Sequence, residues 1–162
     1  MVIVDTESSE TTYTPSMNIV IPNVLSTNPV DITEMLMVGE VEVNASEVLP
    51  GYSNNMIVYS GNIGVMTSQK SVTELRMVVT EVHISDETDE KIAFVGFNKI
   101  TNNNIQNPIK KSVYFRANTG PYSTIASGQY RYKLYVAQVD DVLNVNTIMN
   151  DTCLFNCTSH LL

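Results

Sequence analysis

Charge is scarce in this sequence: 16% of its residues are Asp, Glu, Lys or Arg, against about 25% in typical soluble domains. Asn, Thr and Ser fill the gap. A polar surface without charge costs less to desolvate than one of Lys and Glu, so it suits a protein that packs against copies of itself or other proteins. A genome biased towards Asn codons gives the same composition. Basic residues are the scarcer sign, nine against seventeen acidic for a net charge of -8, and no stretch gathers more than two adjacent Lys or Arg. Phosphate backbones are bound through such clusters, so direct nucleic-acid binding is not expected. The same acidity disfavours anionic lipid surfaces. No apolar run approaches about 18 residues, so no transmembrane helix or membrane insertion is expected. The opening MVIVDTESSETTYTP has neither the basic n-region nor the continuous apolar h-region of a secretory signal, which points to an intracellular product. Two cysteines, Cys153 and Cys157, cannot build a disulfide framework, in keeping with a reducing compartment.

Chemistry-bearing residues are equally sparse. The two histidines are His83 and His160. His83 lies inside a long apolar-rich segment beside Val82 and Ile84, where a packed or edge histidine is expected rather than a general base. His160 sits near the terminus, a poor place for exact catalytic geometry. Cys153, Cys157 and His160 form a C-x3-C-x2-H spacing that could give zinc three ligands, but a structural site needs a second pair, so two free thiols near the surface, or an intermolecular disulfide formed after release from the cell, are expected instead. Asp86, Glu87, Asp89 and Glu90 offer oxygen ligands of the kind calcium prefers without the Gly and Glu positions of an EF-hand loop, and read as a solvated turn. Neither GxGxxG nor GxxxxGK[ST] occurs. The expectation is therefore no catalytic, cofactor-binding or metal residue, and no enzyme. Asn44, Asn150 and Asn156 each begin a glycosylation acceptor triplet, as chance allows in an Asn- and Thr-rich chain, and are read as unused.

What the sequence does have is strands. Val, Ile, Tyr and Thr are plentiful, and no helical period is sustained. SGQYRYKLYVAQVD (127–140) alternates most clearly, with Tyr130, Tyr132, Leu134, Val136 and Gln138 on one face and Arg131, Lys133, Tyr135, Ala137 and Val139 on the other. In VGEVEVN, alternation sets Val38, Glu40 and Glu42 against Val41 and Val43. ELRMVVTEVHI (74–84) and IAFVGFN (92–98) are expected to pair across the polar SDETDEK turn. Gly61 and Asn62 between MIVYS (56–60) and IGVMT (63–67) have the spacing of a tight hairpin. MNIVIPNVL (17–25) is a strand broken by Pro22, and Ile32 to Val38 is a short helical turn capped by Asp31 or Thr33, or the start of a strand. KITNNNIQNPIKK (99–111) reads as a polar loop, SVYFRA (112–117) as a strand and VLNVNTIM (142–149) as one more. About eight to ten strands with Gly, Pro and Asn turns imply a single antiparallel β-sandwich over 18–149. Residues 1–17 read as an extended amino-terminal arm, in which Met1, Val2, Ile3 and Val4 anchor an acidic stretch on a neighbour or sheet edge. Residues 150–162 read as a carboxy-terminal tail whose apolar residues need cover.

The strand GQYRYKLYVAQVD, late in a β-rich chain with an Asn-rich loop and an extended arm before it, resembles the last long strand of virion structural proteins with a single jelly-roll domain. The resemblance covers 17–145 and is one of composition. It implies an all-β sandwich of jelly-roll type that assembles symmetrically with itself and with other structural proteins, a homo-oligomer of the virion assembled in the host cell. Capsid proteins that package RNA commonly carry an Arg-rich arm. The acidic arm here points instead to a minor capsid, penton, cementing or spike component. The competing expectation is a binding module of lectin or adhesin type, with a concave site drawn from Tyr52, Tyr59, Tyr114 and Tyr122.

Overall fold

Extended segments separated by Gly, Pro and Asn become ten strands in the computed structural model, which describes residues 4–13, 19–45, 55–67, 71–86, 88–102, 109–118, 128–139 and 147–161. The strands are β1 (Val4–Tyr13), β2 (Ile19–Val20), β3 (Asn23–Val24), β4 (Leu36–Ala45), β5 (Asn55–Thr67), β6 (Ser71–His83), β7 (Lys91–Asn102), β8 (Ile109–Asn118), β9 (Gly128–Val139) and β10 (Thr147–Leu161). Single 3₁₀ turns at Ile32–Glu34 and Ile84–Asp86 are the only helical segments among the described residues. Two sheets pack face to face. One runs β1-β10-β5-β8 with β2 also on β10; the other runs β4-β9-β6-β7 with β3 also on β9. The molecule is an all-β sandwich, as its alternation implied.

The long strands pair in a nested order. The first lies antiparallel to the last, β1 with β10. Inside that pair come β4 with β9, then β5 with β8, and innermost β6 with β7. Each pair falls within one sheet, and successive pairs alternate between sheets.

The faces of β9 follow its sequence. Tyr130, Tyr132, Leu134, Val136 and Gln138 are buried between the sheets, while Arg131 and Lys133 are partly exposed on the other side. Tyr135, Ala137 and Val139 on that outer side are buried too. Val24 and Met35 pack over Ala137 and Val139, so the strand is covered on both faces at its end. Pro22, with no amide to donate, marks the point where the chain leaves one sheet for the other, between β2 and β3. Buried Gln138 holds the crossing: its side-chain Nε2 donates to the Ile21 carbonyl at 2.8 Å, and its backbone N–H donates to the Pro22 carbonyl at 2.9 Å. Asp31 caps the first 3₁₀ turn, accepting from the Thr33 backbone N–H at 3.0 Å.

Several expectations need correction. Gly61 and Asn62 do not turn. Residues 55–67 are one continuous strand, and a Cβ on Gly61 would come within 2.2 Å of Phe115 Cε1. The glycine is there so that an aromatic ring can lie on the backbone. In β4 a register shift between Met37 and Gly39 turns Val38 into the core with Val41 and Val43, instead of leaving it beside Glu40 and Glu42. The 99–111 loop is shorter than expected at both ends, since β7 continues to Asn102 and β8 begins at Ile109. Over its described part, 150–161, the expected tail 150–162 is strand: β10 runs through it between β1 and β5, and Phe155 and Cys157 are buried. Nor is 1–17 an arm reaching out to a neighbour over its described part. Val4–Tyr13 pairs with β10 from Val4↔Leu161 to Tyr13↔Cys153, so it is an edge strand of its own sheet. Met1, Val2 and Ile3 lie outside the described residues.

Candidate functional site

The inner faces of β6 and β9 carry a cluster of aromatic and acidic groups. Tyr130 and Tyr132 stand opposite His83 and Glu81 in register, and Tyr59 reaches them from β5 with its ring 5.9 Å from that of Tyr132. The Tyr132 hydroxyl donates to Glu81 at 2.9 Å, and the Tyr59 hydroxyl to the Ala93 carbonyl at 3.4 Å. His83 packs edge-on against Tyr130, ring centroids 4.8 Å apart. Its Nδ1 accepts from the Ser85 backbone N–H at 3.2 Å and also meets the Ser85 hydroxyl. His83 is thus the packed histidine its sequence neighbours implied.

Burial holds the protons on these groups. Tyr59 is pushed up to about 12 by desolvation, with Glu81 and Cys157 adding to it. Desolvation and the Glu81 charge raise Tyr132 further and Tyr130 in the same direction. On the outer face Tyr135 is pushed up to about 12, first by burial and then by Glu90, to which its hydroxyl donates at 3.1 Å. The Cys157 thiol is raised by burial. These groups are neutral acids, so what they contribute is complete below their unfolded-state values and is lost as pH rises. The denaturation midpoint should hold from about pH 7 to about pH 8.5 and fall steadily to about pH 11 as Cys157 and then the tyrosines ionise in the unfolded chain. A urea series read by intrinsic fluorescence checks this; a midpoint flat to about pH 11 would show that these groups are wet.

The remaining sequence candidates do not come together as a site. Cys157 is fully buried, not a surface thiol, and its protonated sulfur is a poor ligand. The side chains of Cys153 and His160 lie outside the described residues, and their backbones pair with Ile63 and Met56 of β5. Among the described residues no group of three His, Cys, Asp or Glu side chains could hold a metal ion. The acidic turn is split. Asp89 pairs with Lys91 at 3.2 Å, while Glu90 folds back onto the sheet and accepts from Thr80 at 2.7 Å. Of the four tyrosines considered for a concave site, Tyr59 is core, Tyr114 is 63% exposed on β8, and Tyr52 and Tyr122 lie outside the described residues. No described helix is long and apolar enough to cross a membrane.

Sequence reading missed the outer face of the β4-β9-β6-β7 sheet. On β6, Arg76, Val78, Thr80 and Val82 are all buried, although they point away from the core side chains Leu75, Met77 and Val79. Beside them β7 exposes Ile92, Val95 and Phe97, the last at 52%. Arg76 is only 4% exposed. Its guanidinium lies 5.4 Å from the centre of the Phe97 ring, and its Nε has no hydrogen-bond partner among the described residues. The legible signal was the unbroken apolar run Met77-Val78-Val79, which alternation alone cannot assign to a one-sided strand.

No protein-family model matches this chain, and no curated protein matches it in sequence.

Proposed function

We propose that this chain is a non-enzymatic structural protein of a virion, a minor capsid, penton, cementing or spike component that acts by symmetric assembly with itself and other structural proteins. The observation that carries the reading is the nested pairing of β1·β10, β4·β9, β5·β8 and β6·β7. A long antiparallel ladder rolled so that successive pairs alternate between two sheets is the winding of a jelly roll, a fold that serves in viral capsids. The apolar side chains exposed on β7 add a surface that gains from being covered. Low surface charge lowers the cost of covering it. The buried thiol and the protonated phenols offer neither nucleophile nor base at neutral pH. In this reading the chain packs against protein, with no direct contact to nucleic acid and no membrane insertion.

Light scattering across a concentration series tests it. The mass should rise above the 18.0 kDa of one chain towards a fixed multiple. A strict monomer at every concentration would overturn the assembly reading.

Jelly rolls also serve as lectins, and one observation favours that second reading. Tyr114 stands exposed on β8 opposite Asn62 of β5, and Ser112 donates to the Asn62 side chain at 2.6 Å. An aromatic face flanked by amide and hydroxyl groups suits stacking on a sugar ring. Glycan binding that Tyr114→Ala abolishes would shift the reading to a receptor-binding module.

A further inference from the structure

The charges on the four edge strands are sorted by sign, and the sorting follows the sheet order. One side of the sandwich is bounded by β1 and β4, the other by β8 and β7. On the first side β1 carries Asp5, Glu7 and Glu10 and β4 carries Glu40 and Glu42, with no basic residue on either strand. On the second, β7 carries Lys91 and Lys99 and β8 carries Lys110, Lys111 and Arg116, with no acidic residue on either. Five of the chain's nine basic residues therefore sit on two strands at one side of a molecule of net charge -8.

Local pairing cancels only part of this. Arg131 bridges Glu40 at 2.9 Å and Glu42 at 2.8 Å, one cation for two carboxylates. Lys91 pairs with Asp89. Lys99, Lys110, Lys111 and Arg116 are exposed and have no ion pair among the described residues. Between the basic edges the sandwich gapes. A groove of about 230 Å³, lined by Asn98, Lys99, Ile100, Thr101 and Lys111–Val113, separates β7 from β8.

Edge strands commonly carry charge to keep other strands away. That protection works with either sign on either edge, and does not require acids on one side and bases on the other. Segregation by side has a different consequence: like sides repel and unlike sides attract, so a two-fold edge-to-edge dimer is penalised and a head-to-tail contact is favoured. The strand directions agree. With four antiparallel strands in each sheet, β1 and β8 run in opposite senses, as do β4 and β7. A second copy placed alongside without inversion then sets β1 antiparallel to β8, and β4 antiparallel to β7, so both sheets continue.

We propose that copies of this chain associate side by side, head to tail, with the acidic β1/β4 edge of one seated on the basic β7/β8 edge of the next. The proposal rests on the assembly reading above and gives it a surface and a polarity. Head-to-tail contacts of one kind close into a ring or run on as a filament.

Two charge-reversed variants test it by sedimentation and light scattering. Lys110→Glu with Lys111→Glu makes both sides of the β1-β10-β5-β8 sheet acidic, and Glu7→Lys with Glu10→Lys makes both basic. Each alone should weaken self-association by at least about tenfold, and an equimolar mixture should regain the wild-type mass, because unlike sides face again. Wild-type association should itself weaken from about 0.05 M to about 1 M salt, where the screening length falls to about 3 Å; this series decides if a variant loses its β-rich circular dichroism. If the wild type assembles but both variants assemble equally well, or its association ignores salt, the edge pairing is wrong and the assembly reading stands. A wild type that stays monomeric throughout overturns both.

Discussion

A chain ending at residue 146 should show no cooperative unfolding transition. β10 is the strand lost, and it lies inside its sheet, with β1 on one side and β5 on the other. Its removal leaves β1 without its ladder partner and uncovers an edge of β5 across nearly its full length. It also takes Phe155 and Cys157, both fully buried, out of the core. Net stability of a domain is about 5–15 kcal/mol, and each large buried side chain contributes about 1.5–3 kcal/mol. Losing a central strand with two core residues and two ladders therefore exceeds what the rest can absorb. Denaturant titration by circular dichroism, with a dye that binds exposed apolar surface, reads the result. A truncated chain that kept a sigmoidal transition would mean that β10 is peripheral, as a terminal tail would be.

That segment also shows what the sequence could and could not convey. In NDTCLFNCTSH the two described core residues, Phe155 and Cys157, stand among Asn, Thr and Ser, so alternation is weak and the stretch has the look of a polar terminus. Its strand character comes from partners elsewhere in the chain. β9 was legible for the opposite reason: over its first part the core positions Tyr130, Tyr132 and Leu134 alternate with Arg131 and Lys133, and one-sided burial imposes that pattern. At its end Val24 and Met35 cover Ala137 and Val139 on the outer face, which no period within β9 can announce. Arg76 is an ordinary strand residue until Phe97 is placed beside it. The sorting of edge charges is likewise invisible along the chain, since β1, β4, β7 and β8 are separated in sequence and become two sides only through the strand order. His83, by contrast, could be assigned from its neighbours, because a histidine among β-branched residues in a long strand has few places to be.

Phe115→Ala should cost about 3–5 kcal/mol, as deleting a buried ring does, and lower the melting temperature by about 6–20 °C for a domain of this size. Phe115 is 7% exposed. Its ring stacks on Phe94 with centroids 5.5 Å apart and planes 8° from parallel, and its edge lies on Gly61. A Cβ built there would sit 2.2 Å from Phe115 Cε1 and 2.9 Å from Cζ. Gly61→Ala in the intact protein must push that ring against Phe94, at about 1–3 kcal/mol. Once the ring is gone, the same methyl group enters the space it left, so Gly61→Ala in the Phe115→Ala background should cost little or restore some stability. Pair coupling should therefore reach about 1–2 kcal/mol, within the range seen for residues in contact. Four denaturant midpoints measure it. A glycine kept for a hairpin turn would give the same Gly61→Ala penalty whether or not the ring were present, and strictly additive values would return residues 61 and 62 to a turn.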